Sequence, residues 1–365
     1  MQTFDFEKTR KIIQEGIDKG QHFGAQVCIS QNAEKLADFS LGTLDGSVEM
    51  TTQSITPWMS CSKMITAIAL AKCYEEGNFD FDWPVSKIIP EYACNGKEET
   101  TFKDLLTHTC GIRILRTRWE LLPWHEAIQA ICEMPIEAGW KLGESAGYHV
   151  ATSWMILGEA LQRVSDEDFN EYIVDEIFEP CAMYRSFFHI PETFRMMNHP
   201  EIGTLYSTFG QTPIAIADNC YQDFQMTKPG SSAKGPTAEL HRLMQMIANG
   251  GEIDGNRILE EETVERLSKA YRIGKKDQSF NAIIDWGLGF MFDSKEYQED
   301  YMYSFGPYAS KGTFGHNGNQ SSAAYIDPKH QLVVTFAFNG MPGETRHQNR
   351  LKAINAAIYQ DLGLA

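Results

Sequence analysis

In the stretch WMSCSKMITAIAL, residues 58–70, a serine and a lysine stand three positions apart, Ser60 and Lys63. On a helix that spacing places both side chains on one face, about a turn from each other. Pro57 precedes them, as at the entry to a helix, so Ser60 is expected at the helix N-terminus, where unpaired N–H groups and the dipole favour developing negative charge. A serine hydroxyl becomes a useful nucleophile only when a base takes its proton. Lysine can be that base where burial or a neighbouring cation pulls its pKa toward neutrality. From Met64 to Ala71 every residue but Thr66 is apolar or small, and a helix without a polar face is buried on all sides. The surroundings that make a cation costly at Lys63 are thus those that would make it a base. The competing reading is a lysine that snorkels to solvent from the helix end.

The rest of the chain sets bounds on that chemistry. Its 365 residues exceed one ordinary hydrophobic core, and 42% hydrophobic with 22% charged residues is globular composition, so one two-lobed unit or two domains is expected. A formal charge of −17 repels phosphate backbones and anionic lipid, so no nucleic-acid or membrane partner is expected. The start, MQTFDFEKTRKIIQEG, lacks the apolar core of a secretory signal, no apolar run of about 18 residues follows, and a cytoplasmic protein is expected. Eight cysteines are scattered without metal or redox spacing and read as reduced structural thiols, with Cys61 singled out because it lies close to Lys63.

Strand patterns cluster at both ends of the chain. GAQVCIS and KLADFSLG follow a helical segment at Phe4–Lys19, and SSAAYIDP and QLVVTFAFNG precede a helix expected over His347–Leu362. Between them EAIQAICEM, TSWMILGEALQRV, DFNEYIVDEIFEPC, TAELHRLMQMIANGG and EETVERLSKAY have helical periodicity, broken by the loop KPGSSAKGP. The economical architecture is α+β: one antiparallel sheet built from both chain ends, flanked by helices, with a mostly helical lobe inserted. Residues 1–75 plus 276–365 would form the sheet lobe and 76–275 the helical lobe, with the active site in the cleft between them.

Six further segments occur in a familiar order: DFDWPVSKIIPEY at 80–92, LLTHTCGI at 105–112, GYHVATSWMILGEAL at 147–161, GGEIDGNRIL at 250–259, WGLGF at 286–290 and FGHNGNQSSAAYIDP at 314–328. With S-x-x-K they resemble the serine β-lactamase-like and penicillin-binding-protein family, in particular its class C β-lactamase and esterase-like branch, over nearly the whole chain. The resemblance implies a β-lactamase/transpeptidase-like fold and an acyl-enzyme mechanism with no metal or organic cofactor. It implies Ser60 as nucleophile, Lys63 as base, and Tyr148 in the tyrosine place of Y-x-N, with His149 as the alternative register. His316 and Gly318 match H-x-G on the strand lining the cleft. Backbone N–H groups of Ser60 and Asn319 would hold the oxyanion.

Two departures from the family pattern bear on substrate. The asparagine of Y-x-N is Val150, which has no hydrogen-bonding group, and the lysine of K-T-G, a cation suited to a carboxylate, is His316, an imidazole mostly neutral at pH 7 unless perturbed. Both weaken recognition of penicillins or D-Ala-D-Ala, so a carboxylesterase-like hydrolase of small esters is expected. A D-amino-acid amidase or peptidase, a β-lactamase, an acyltransferase and a non-catalytic binding protein are the alternatives. Arg113, Arg116 and Arg118 would attract an anionic substrate or form a solvated basic loop. Trp119, Trp124, Trp140 and Trp154 would line an acyl pocket or belong to the helical core.

Overall fold

The computed structural model describes residues 4–113, 122–216, 227–298 and 302–365. Its main sheet has six strands: β1 (Gly24–Gln31), β2 (Glu34–Gly42), β3 (Met291–Phe292), β4 (Phe314–Asn317), β5 (Ser322–Asp327) and β6 (Leu332–Phe338). They lie in the order β3-β4-β5-β6-β1-β2 and every neighbouring pair is antiparallel. The two ends of the chain meet where β1 pairs β6, with Val27 opposite Phe336 and Ile29 opposite Val334. The fold is α+β, as the pattern of elements predicts.

Ten helices complete the elements used below: α1 (Glu7–Asp18), α2 (Ser62–Glu75), α3 (Phe102–Leu106), α4 (Trp124–Cys132), α5 (Thr152–Ser165), α6 (Phe169–Ile173), α7 (Glu192–Asn198), α8 (Thr237–Ala248), α9 (Glu261–Leu267) and α10 (Glu344–Asp361). β6 is buried along its whole length, so both faces of the sheet need cover. Its alternation divides the work. Leu332, Val334, Phe336 and Phe338 join Ile13 of α1 and Ile354 and Ile358 of α10 in one cluster. Val333 points the other way, into the cluster of Leu243, Met244 and Ile247 of α8. Thr335, on that second face, meets Nδ1 of His241 at 3.3 Å.

α2 is buried from Ser62 through Ala71, and it packs against α5, α6 and α9 and beside β4. Its side chains share one cluster with the inserted helices and with Phe314, Ala324 and Ile326 of the sheet. The first turn of α2 therefore sits where sheet and helices join.

Some boundaries differ from expectation. Ser60 lies not in α2 but in the tighter 3₁₀ turn Met59–Cys61 that leads into it. The segment 168–181 divides into α6, capped by the Asp168 carboxylate on the N–H groups of Asn170 and Glu171, and a π turn at Val174–Phe178. α10 begins at Glu344, three residues early, because Gly343 at φ 94° opens it and Glu344 complements the dipole. The seven described cysteines are free thiols, and Cys220 lies outside the described residues. Among the described residues no helix is long and apolar enough to cross a membrane.

Candidate active site

The turn carrying Ser60 is tied to the sheet at two points and to the start of α2 at a third. Ser322 Oγ on β5 donates to the Trp58 carbonyl at 2.7 Å, Cys61 Sγ to the His316 carbonyl on β4 at 3.3 Å, and Ser62 Oγ to the Met59 carbonyl at 2.5 Å. Met59 is held at φ 49°, a left-handed conformation that costs a non-glycine residue about 1 kcal/mol and survives only where the surroundings impose it. Ser60 is thereby presented on a strained, braced turn and is only 7% exposed. Burial pushes the Cys61 thiol up to about 12, so it is an inert neighbour and no rival nucleophile.

Lys63 is fully buried, and burial, slightly opposed by Cys61, draws its pKa down to about 7. Nζ donates to the carbonyl oxygens of Gly230 at 2.8 Å and Val150 at 3.0 Å, and lies 3.3 Å from Ser60 Oγ. A neutral amine has two N–H bonds and one lone pair. With both N–H groups taken by carbonyls, the lone pair is left for the Ser60 hydroxyl. The side chain does not snorkel. It lies near the rings of Tyr148 and Trp154, 5.1 and 5.4 Å from their centroids.

Of the two registers, Tyr148 is the residue that reaches Ser60. Its O–H donates to Ser60 Oγ at 2.8 Å, whereas His149 faces away, its Nε2 accepting from the Ile112 N–H at 3.1 Å. Burial pushes the Tyr148 phenol well above its ordinary range, so it rests protonated and acts as a donor. Its backbone is fixed by a buried ion pair. The Tyr148 N–H donates to Asp277 Oδ1 at 3.1 Å, and Asp277 Oδ2 accepts from Arg272 Nη2 at 3.0 Å. Arg272 also donates to the carbonyls of Thr107 and Ile284, joining LLTHTCGI to this clamp.

The missing asparagine is replaced by main chain. Val150 turns its side chain to solvent, 60% exposed, while its carbonyl holds Lys63. Neither His149 nor Thr152 fills the gap, since Thr152 Oγ1 donates to the Ile112 carbonyl. Gly230 is required by closeness: a Cβ there would fall 2.8 Å from Trp154 Cβ and 3.2 Å from Lys63 Nζ.

His316 lies on β4 beside the nucleophile turn. It is buried and neutral, with burial and then Lys63 drawing its pKa to about 3, so it carries no charge near neutrality. Nδ1–H donates to the Asn317 carbonyl at 2.8 Å, which leaves Nε2 as a bare acceptor rather than a donor. Gly318 packs against the nucleophile turn, where a Cβ would come within 2.6 Å of the Trp58 carbonyl oxygen. Asn319 follows on an exposed turn. The β3–β4 ladder ends at Gly315, so among the described residues no strand pairs His316 and Asn317 on that edge.

The arginine reading is corrected. Arg113 grips Glu137 with Nε at 2.9 Å and Nη2 at 2.5 Å, so its charge is spent within the protein, and Arg116 and Arg118 lie outside the described residues. Trp154 is core, Trp140 donates to the Thr109 carbonyl and Trp124 to Glu159, while Trp119 is not among the described residues. Sequence reasoning missed Gly230, Arg272 and Asp277. The break at KPGSSAKGP marked a loop around Gly230 without its role, and nothing local distinguishes Arg272 or Asp277.

An antiparallel sheet closed by both chain ends, with a serine–lysine turn packed against its β4 edge, defines the β-lactamase/transpeptidase-like class of folds. The chain belongs to the Beta-lactamase family, whose model matches residues 9–358. It is 25% identical over 360 residues to "Esterase/beta-lactamase LipL" of Mycobacterium tuberculosis (strain ATCC 25618 / H37Rv), covering 88% of this chain and 78% of that protein. The fold is shared with a penicillin-binding protein homologue from Caulobacter crescentus, at TM-score 0.78 and 22% identity over 96% of this chain and 97% of that one. It is shared likewise with a family VIII carboxylesterase, at TM-score 0.78 and 21% identity over 98% and 97%.

Proposed function

We propose that this protein is a serine hydrolase that cleaves small, uncharged carboxylic esters through an acyl-enzyme. The observation that carries the reading is one oxygen with two partners: Ser60 Oγ lies 3.3 Å from Lys63 Nζ and 2.8 Å from Tyr148 Oη. The Lys63 amine takes the Ser60 proton as Oγ attacks the ester carbonyl. The oxyanion is received by backbone N–H groups of Ser60 and Asn319, each worth about 3 kcal/mol in such sites. Tyr148 passes a proton to the departing alcohol, and water, activated by the same pair, releases the acid. The site lies in the cleft between a sheet lobe of residues 1–75 plus 276–365 and a helical lobe of 76–275.

Ester specificity is supported by what surrounds the serine. Lys63 loses its charge as pH rises through about 7, His316 is neutral with its acceptor nitrogen buried, and Arg113 is paired with Glu137. None of these offers the fixed cation that a penicillin carboxylate or a peptide C-terminus calls for. The similarity to a protein named esterase/beta-lactamase agrees with ester chemistry and keeps β-lactams in the comparison. Free thiols throughout the described residues are in keeping with a reducing, cytoplasmic setting.

The test is covalent labelling with a fluorophosphonate followed by peptide mapping, alongside turnover of p-nitrophenyl butyrate, nitrocefin and a D-alanyl amide. The expected result is an adduct on Ser60 and turnover of the ester well ahead of the other two. An unlabelled protein, or full activity in Ser60→Ala, removes Ser60 from the mechanism and leaves a binding protein or a different site.

A further inference from the structure

Arg350, on α10, is a buried cation with no carboxylate near it. It is 4% exposed, and among the described residues no Asp or Glu forms an ion pair with it. Such burial is strongly unfavourable unless the donors find partners; Nε has none among the described residues, so the two Nη groups carry the compensation. Its partners are all neutral. Nη1 donates to His22 Nδ1 at 2.9 Å, and Nη2 is shared among the Gln320 carbonyl at 3.0 Å, the Gly340 carbonyl at 3.1 Å and His347 Nδ1 at 3.1 Å. The guanidinium carbon lies 4.0 Å from the centre of the Phe338 ring. Burial, and then Arg350 itself, hold both histidines well below the ordinary imidazole range, so they accept rather than compete.

One of those contacts reaches the candidate site. Gln320 belongs to the turn that follows Gly318, and Gly318 is packed on Trp58 and Met59 immediately before Ser60. The turn is held in a left-handed conformation at Gln320, φ 47°. Its second anchor is the Gln320 side chain, whose Oε1 accepts from the Gly343 N–H at 2.7 Å. Among the described residues no hydrogen bond occupies the Asn319 N–H, the group needed for the oxyanion. The turn is thus fixed from beneath, by Arg350 and Gly343, while the intervening N–H stays open.

We infer that Arg350 is a positioning residue for acyl transfer: its guanidinium ties the Asn319–Gln320 turn to the end of β6, so that the Asn319 N–H keeps its place beside Ser60. The inference rests on the acyl-enzyme reading above. It gives a buried, unpaired charge a reason to persist, since a fork bridging two carbonyls cannot be reproduced by a hydrocarbon or by the single point of a lysine.

The experiment uses the full chain with Arg350→Lys, Arg350→Met and Gln320→Asn, the last keeping a residue that tolerates positive φ while losing the reach to Gly343. Expected is a fall in kcat for p-nitrophenyl butyrate of about tenfold to a hundredfold, bounded by the loss on removing an oxyanion donor outright. KM should change little, and the ionisation of Lys63 seen in kcat/KM should stay where it is. The rate of fluorophosphonate labelling should fall with kcat. A folded Arg350→Met enzyme with kcat within twofold of the parent, or a loss confined to KM, overturns the inference. If Arg350→Met does not fold, a folded Arg350→Lys enzyme with unchanged kcat overturns it instead. Ser60→Ala is run in parallel: activity surviving there sinks the acyl-enzyme reading itself, whereas an inactive Ser60→Ala with unaffected Arg350 variants sinks only this proposal.

Discussion

Lys63 Nζ sits 2.8 Å from the carbonyl oxygen of Gly230, and its other close partners, the Val150 carbonyl and Ser60 Oγ, are equally uncharged. A lysine placed against a carboxylate would keep its proton. Placed against carbonyls in an apolar wall, it gives the proton up near neutrality and becomes a base.

The pH dependence follows from that placement. With Lys63 at about 7, kcat/KM should rise about tenfold per pH unit below that value and level off above it. The raised Tyr148 phenol should delay any alkaline decline beyond the ordinary tyrosine range. A profile already flat from pH 5 upward would mean that Lys63 is not the base.

Stability should show the same ionisation with the opposite consequence. Lys63 binds its proton less tightly in the folded state than in the unfolded chain, where a lysine titrates near ~10.4. The unfolded state therefore holds more protons between these values, and this group's destabilisation, full below about 7, is relieved as pH climbs toward the unfolded value. Lys63→Met should raise the unfolding free energy at pH 6 by on the order of a few kcal/mol, with the gain shrinking at pH 10, as measured by urea denaturation at both pH values. A gain that is the same at both pH values would contradict this assignment.

Tyr148→Phe separates proton donation from nucleophile activation. It removes the O–H that lies 2.8 Å from Ser60 Oγ while keeping the ring. Hydrolysis of an ethyl ester, whose alcohol needs a proton to leave, should fall by about a hundredfold or more. A p-nitrophenyl ester should lose much less. Equal losses on both substrates would place Tyr148 elsewhere in the mechanism.

Gly230→Ala tests the carbonyl that holds Lys63. The new methyl would crowd Trp154 Cβ at 2.8 Å and Nζ at 3.2 Å, so the loop must move and take its acceptor with it. We expect kcat/KM to fall by about tenfold or more, with the pH midpoint displaced. Unchanged kinetics would show that the Val150 carbonyl alone suffices.

Asp277→Ala should act mainly on stability. Asp277 and Arg272 are buried as a pair, with side chains 0% and 1% exposed, and removing one partner of such a pair costs about 3–5 kcal/mol because the other charge is left uncompensated. Thermal or denaturant unfolding measures this directly. A loss below about 1 kcal/mol would mean that the pair does not clamp Tyr148 as described.

Much was legible in the sequence because it is local. Three-residue spacing, an apolar run and alternating strands report on a turn, a helix and a sheet, and these carried Ser60, Lys63, the β1–β6 core and the α+β class. Tyr148 and His316 came only through ordered segments resembling a family, since neither has a signal of its own. What the alternation could not reveal is which backbone carbonyl a buried side chain will meet. Gly230 is 167 positions from Lys63 and Asp277 is 129 from Tyr148.

The amino-acid order by itself therefore determined that a lysine would be buried one turn from a serine, because local side-chain pattern dictates what a helix must hide. Only the tertiary structure decided that this lysine meets carbonyls and not a carboxylate, that His316 keeps a buried acceptor nitrogen and that Arg113 is already paired. Those outcomes depend on groups brought together across the chain, and a titratable group takes its chemistry from what it finally touches.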